Sequence, residues 1–178
     1  SHGYMSIEDC SVVASGTGVI KSETRNAVGG ICGWLWEEDF HITGCEVANM
    51  EITGWANVGG ITGYATSSSA YTRYCLNAGK VSGYTYVGGI AGEGYYGNYI
   101  SYCLNVGDVE GTVTGYTAAI AGYAYSGVPV DCYWDKQMCP TEYQYNAVAA
   151  PTYAKYTREL IGQNTYPSSS YWYSGTNL

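Results

Sequence analysis

Acid–base and nucleophilic catalysis lean on histidine, and this chain of 178 residues has two. His2 lies in Ser1-His2-Gly3, which reads as a tag remnant within a leader of residues 1–6. His41 stands alone in Asp39-Phe40-His41-Ile42, where a structural role is expected. The seven cysteines invite a metal or disulfide reading. Zinc sites use local pairs such as C-x2-C, but the nearest useful pair here is Cys132 and Cys139, seven residues apart. That pair is the candidate disulfide; the other thiols are expected to be buried and unbridged. Glu8-Asp9 and Glu37-Glu38-Asp39 are acidic clusters without the Gly-Gly-x-Gly-x-Asp or D-x-D-x-D-G pattern of calcium sites, so both read as solvated loops. The Gly-Gly motifs lack the lysine and following helix of a phosphate loop. A glycosidase needs two carboxylates facing one cleft, and carboxylates are sparse here. No metal, no cofactor and no catalysis are therefore expected.

Tyrosine is the chemistry this chain has in excess: 21 residues against a single phenylalanine. Exposed rings on a neutral surface suit sugar stacking or a protein partner. The candidates are Tyr71, Tyr95, Tyr96, Tyr99 and Tyr125, in or beside variable tips at 66–70, 94–98 and 125–128 that need not pack. Other rings recur in phase. Trp34, Tyr64 and Tyr123 follow an Ile-x-Gly, a series that Glu93 breaks, while Trp55, Tyr84 and Tyr116 follow the glycine that closes the preceding strand. Both sets are expected to stack along the molecule.

What positions these residues is a repeat. Val28-Gly29-Gly30-Ile31-Cys32-Gly33 returns as Val58-Gly59-Gly60-Ile61-Thr62-Gly63, as Val87-Gly88-Gly89-Ile90-Ala91-Gly92 and, degraded, as Thr117-Ala118-Ala119-Ile120-Ala121-Gly122. The copies start at 28, 58, 87 and 117, a period of 29–30 residues, which signals stacked units that bury their apolar faces on one another. A second anchor has the same period: Cys10, Cys45, Cys75, Cys103 and Cys132. Within a unit, short β-branched pieces are closed by Gly or Asn, the signature of strands and turns. One repeat is one coil of a parallel β-solenoid, with coils about 4.8 Å apart and like residues stacked on like. The glycines are expected at corners with positive φ, and the cysteines in an apolar ladder. Four to five such coils fill residues 7–134. After Cys132-Tyr133-Trp134-Asp135 the period stops. Residues 135–178, with a possible helical turn at 157–162 and the aromatic Tyr171-Trp172-Tyr173, are expected to cap the open end.

The net charge is −8, and only 12% of residues are charged. Nucleic acid and anionic membranes want basic patches, so neither is an expected partner. No run of eighteen apolar residues appears, so no membrane-spanning segment is expected.

Val-Gly-Gly-Ile-x-Gly paired with Tyr74-Cys75-Leu76-Asn77-Ala78-Gly79 and Tyr102-Cys103-Leu104-Asn105-Val106-Gly107 resembles the GLUG repeat of bacterial surface proteins. The closing Asp131-Cys132-Tyr133-Trp134-Asp135-Lys136 is similar to the segment that ends many such arrays. The resemblance implies a secreted, cell-surface setting in adhesins or in accessory regions of surface peptidases, and it brings no catalytic residues. The expected function is adhesion to host or neighbouring-cell glycans or proteins. A stalk that touches nothing is the alternative, along with an accessory region of a surface peptidase or polysaccharide-active enzyme.

Overall fold

The computed structural model describes residues 5–36, 39–94, 99–125, 129–135 and 139, together with the backbone of 152–155. The chain winds through four coils. The first holds β1 (Met5–Glu8), β2 (Ser11–Lys21), β3 (Asn26–Gly29) and β4 (Cys32–Leu35). The second holds β5 (Phe40–Thr43), β6 (Glu46–Gly59) and β7 (Thr62–Ala65). The third holds β8 (Tyr71–Arg73), β9 (Leu76–Gly88) and β10 (Ala91–Gly94). The fourth holds β11 (Tyr99–Ser101), β12 (Leu104–Asn105), β13 (Val109–Gly111), β14 (Thr117–Ala118) and β15 (Ala121–Ala124), and β16 (Cys132–Asp135) and β17 (Thr152–Lys155) follow.

Three parallel sheets make the walls. The first runs β1-β5-β8-β11 and the third β4-β7-β10-β15, while the long second wall runs β2-β6-β9-β12-β16-β17 with β3, β13 and β14 beside it. The architecture is the all-β parallel solenoid the repeat implies. Pairing does not stop at 135, because β17 continues the second wall in register with β16, Cys132 opposite Thr152. The remainder of the expected cap, including 157–162 and the aromatic tail, lies outside the described residues.

Like stacks on like. Ile61, Ile90 and Ile120 of the Gly-Gly-Ile motifs are fully buried, as are Ile42, Val58 and Val87. Each such side chain contributes about 1.5–3 kcal/mol. Where a rank changes chemistry, a partner changes with it. Thr72 takes the register position of Ile42 and Ile100, and its hydroxyl lies 3.3 Å from that of Thr62 across the interior.

The glycine corners work differently from the sequence expectation. Gly29, Gly30, Gly59, Gly60, Gly88 and Gly89 do not have positive φ; among the described glycines only Gly44 does, at 67°. Their requirement is space. A Cβ on Gly59 would run into the carbonyl of Thr62 and lie 2.7 Å from the Gly92 nitrogen. One on Gly60 would strike the Gly89 carbonyl and the Asn77 side chain of the next coil, and one on Gly89 the Ala119 carbonyl and Asn105. In the degraded fourth copy alanines stand in place of the glycines: among the described residues β14 pairs only with β9, and Ala118 and Ala119 are fully buried.

Apart from Asp39 and Asn49, positive φ falls instead on two ranks, nearly all of them residues with side chains. Asp9, Gly44, Tyr74, Tyr102 and Asp131 each precede a ladder cysteine, and Ala27, Asn57 and Tyr86 each precede a Val-Gly-Gly. A bulky residue there costs about 1–2 kcal/mol. Tyr74 and Tyr102 offset it by stacking, with ring centroids 5.1 Å apart and planes 8° from parallel.

The cysteine ladder is buried from Cys45 to Cys132, whereas Cys10, expected to be buried with them, is exposed in the first coil. Cys10, Cys45, Cys75, Cys103 and Cys132 all donate their thiols to the carbonyl two residues back, at 3.1–3.4 Å. None is in a disulfide, and Cys132 and Cys139 are likewise not bridged to each other. Burial, with thiol contacts along the ladder, pushes Cys75 and Cys103 far above the usual thiol range. For Cys45 the contact with Cys75 is the larger cause and burial the second. Beside the thiols runs an amide ladder. Asn77 donates to the Asn105 oxygen at 2.8 Å, and each amide also closes a two-bond ring with the backbone of Gly79 or Gly107.

Candidate functional site

The solenoid sets its rings into ranks of two kinds. In the first kind the rings lie face to face and cover one another. Trp55 stacks on Tyr84 at 4.5 Å and 10°, and His41 on Tyr71 at 3.7 Å and 16°. The Arg73 guanidinium also sits 4.3 Å from the Tyr71 ring centre. Tyr71 is thus a sequence candidate whose ring is engaged in packing. His41, its stacking partner, has the structural role expected of it.

The second kind lies on the outer face of the third wall. Parallel register puts Trp34 beside Tyr64, Tyr64 beside Glu93 and Glu93 beside Tyr123. Four residues at strand spacing span about 14 Å along the axis. Trp34 and Tyr64 are tilted by 60° at 5.5 Å, and Trp36 meets Trp34 edge-on at 5.6 Å. A stacked pair hides only the two faces that meet, and Trp55 and Tyr84 remain 53% and 42% exposed. Trp34 is 52% exposed and Trp36 68%. Glu93 sits partly buried in this rank. Desolvation by burial holds its carboxyl above the ordinary value, with the Asn57 amide acting the other way. Tyr86, Tyr116 and Tyr123 form a tilted cluster at the adjoining corner, with centroids 4.8–5.9 Å apart.

Tyr116 does not join the Trp55–Tyr84 rank as the sequence suggested. Gly83 pairs with Gly111 and Val87 with Thr117, so the fourth coil carries two extra residues in this interval. They fold into a 3-10 turn at Thr114–Tyr116, which swings Tyr116 onto Tyr86.

Of the other sequence candidates, Tyr125 is 54% exposed and follows directly on β15, at the edge of the third wall. Tyr99 pairs by backbone with Tyr71, and its side chain lies outside the described residues, as do Tyr95 and Tyr96 entirely. Among the described residues no group of three or more His, Cys, Asp or Glu is placed to hold a metal, and no helix is long and apolar enough to cross a membrane.

No protein-family model matches the chain, and no curated protein does. Among solved structures it is similar to a Bacteroides ovatus protein provisionally described as an immunoglobulin A1 protease. The likeness has a TM-score of 0.52 at 17% identity and covers 87% of this chain and 68% of that one. What the two share is the fold.

Proposed function

We propose that this chain is a non-catalytic repeat segment of a secreted bacterial surface protein, one that binds glycans or proteins on host or neighbouring cells. The observation that carries this reading is the exposed, tilted aromatic rank on the third wall, held on a rigid stack. Apolar ring surface left open beside a hydrogen-bonding group is characteristic of contact surfaces. The charge-poor composition fits contact with polar uncharged partners, and weak sites repeated on a cell surface gain by multivalency. The resemblance to GLUG repeats supports the extracellular setting.

The test is a binding screen of the folded chain on immobilised mucin, defined glycans and extracellular-matrix proteins. Saturable binding to one class is the expected result; no binding by a demonstrably folded chain would favour the stalk. A second reading, an accessory region beside a surface peptidase, draws on the description of the B. ovatus protein. Immunoglobulin A1 belongs in the same panel for that reason, read for both binding and cleavage.

A further inference from the structure

We infer that the outer face of the third wall is a binding site for neutral, hydroxyl-rich saccharide chains, with Trp34 and Tyr64 as the stacking platform and Glu93, which interrupts the aromatic rank, as the hydrogen-bond acceptor. This rests on the binding reading above and goes further by naming the place and the ligand chemistry.

Three observations converge on it. The first is the open ring surface: Trp34 and Trp36 are more than half exposed and meet their neighbours at 60–62°. A pyranose presents a flat apolar C–H face that needs such a ring. The stacked Trp55 and Tyr84, whose faces meet at 4.5 Å, are also exposed, at 53% and 42%, so ring exposure is shared by both ranks and the polar group beside the rings is what sets the third wall apart.

The second is a polar anchor fixed within that surface. Glu93 interrupts an otherwise aromatic rank, between Tyr64 and Tyr123. An exposed carboxylate on a flexible stem would mean little, but this one is partly buried, and its strand neighbours in register are the rings of Tyr64 and Tyr123. A fixed acceptor beside a ring face recognises a sugar by pairing a hydroxyl with the carboxylate while the ring covers the C–H face. Small-molecule sites commonly combine apolar lining with a few placed polar groups in this way.

The third is charge. The chain carries −8 and the anchor is an acid, so sialylated or sulfated sugars would bring like charge to Glu93 and are disfavoured. The rank also has length. Four residues at strand spacing reach about 14 Å, enough for consecutive sugar units and more than a single ring needs.

The experiment measures binding of the chain to native, desialylated and fully deglycosylated mucin, with Trp34→Ala, Glu93→Gln and Trp55→Ala each confirmed folded by circular dichroism and thermal unfolding. Expected are retained or stronger binding to desialylated mucin and loss on the deglycosylated protein. Trp34→Ala should weaken binding at least about tenfold, roughly 1.4 kcal/mol, Glu93→Gln by about three- to tenfold, and Trp55→Ala less than about twofold. If the chain binds mucin and Trp34→Ala leaves that binding intact, the site is overturned while the binding function stands. Equal binding to the deglycosylated protein would overturn the saccharide and point to a polypeptide partner. Failure of the unaltered chain to bind any form of mucin would overturn the saccharide site, and the panel of matrix proteins then decides whether the broader binding reading survives.

Discussion

The lining of the solenoid and the outer face of its third wall are built from the same repeat, yet they spend their polar and aromatic groups in opposite ways. Inside, the amide and thiol ladders close their own hydrogen bonds. Asn77 and Asn105 satisfy each other and their own corners, and the cysteine thiols donate to local carbonyls. Outside on the third wall, ring faces stay open and a carboxylate is held where burial disfavours its charge. Groups that complete one another stabilise the coil stack; groups held in place but not used up are available to something else. The difference separates residues that build the fold from residues that act.

The sharpest way to break the comparison is at a glycine corner. Gly89→Ala is expected to cost about 3 kcal/mol or more, because the methyl meets the Ala119 carbonyl and the Asn105 amide with no room to move. Ala119→Gly, at the same motif position in the fourth coil, should cost about 1 kcal/mol or less. Urea unfolding of the pair measures both; equal losses would mean that crowding by the next coil is not what the glycines serve. Next in size is the amide ladder. Asn105→Ala leaves the Asn77 amide and the Gly107 backbone without their partner, and a loss of about 1–3 kcal/mol is expected in the same assay.

A smaller effect is kinetic. Cys10 is exposed, whereas Cys75 and Cys103 are fully buried with thiols pushed far above the usual range. Iodoacetamide at neutral pH should therefore label Cys10 in the folded protein and reach Cys75 and Cys103 only in denaturant, as read by peptide mass mapping. Smallest is the electrostatic signature of the outer face. Burial raises the folded-state pKa of Glu93 above its ordinary value of 4.5, so the folded protein holds that proton more tightly than the unfolded chain. The resulting stability is present below the ordinary value and is lost as pH rises through the interval above it. Thermal unfolding from pH 4 to 7 should show this fall in the unaltered chain relative to Glu93→Gln. A Glu93→Gln variant with the same pH slope would place the carboxylate in water.

Most of the fold was legible because repetition multiplies a weak signal. One Val-Gly-Gly-Ile means little, but four in phase with five cysteines fix the period, the parallel stacking and the thiol ladder before any strand is placed. Other features were hidden, for physical reasons. The glycines looked like positive-φ corners because that is their commonest use; only the distance to the next coil reveals that they make space. Tyr74 and Tyr102 in the left-handed region run against the usual preference for Gly, Asn or Asp, and their stacking depends on register between coils. The candidate site was half visible. Trp34, Tyr64 and Tyr123 stood in phase, and Glu93 was evident as the break in their series. The sequence suggests that all in-phase rings stack alike and points instead to Tyr71, Tyr95, Tyr96, Tyr99 and Tyr125 in or beside the variable tips. Ring tilt is set by packing between coils.

The most direct test of the division between building and acting residues compares two aromatic truncations, Tyr102→Ala and Trp34→Ala. Each is measured for mucin affinity per folded molecule, with thermal unfolding of the same samples. Tyr102→Ala should lower the unfolding temperature, losing a stack worth about 0.5–1.5 kcal/mol while keeping the strained backbone, and should bind as the unaltered chain does. Trp34→Ala should unfold at nearly the unaltered temperature and lose binding. The reverse pattern, with binding lost in folded Tyr102→Ala and kept in Trp34→Ala, would contradict the account.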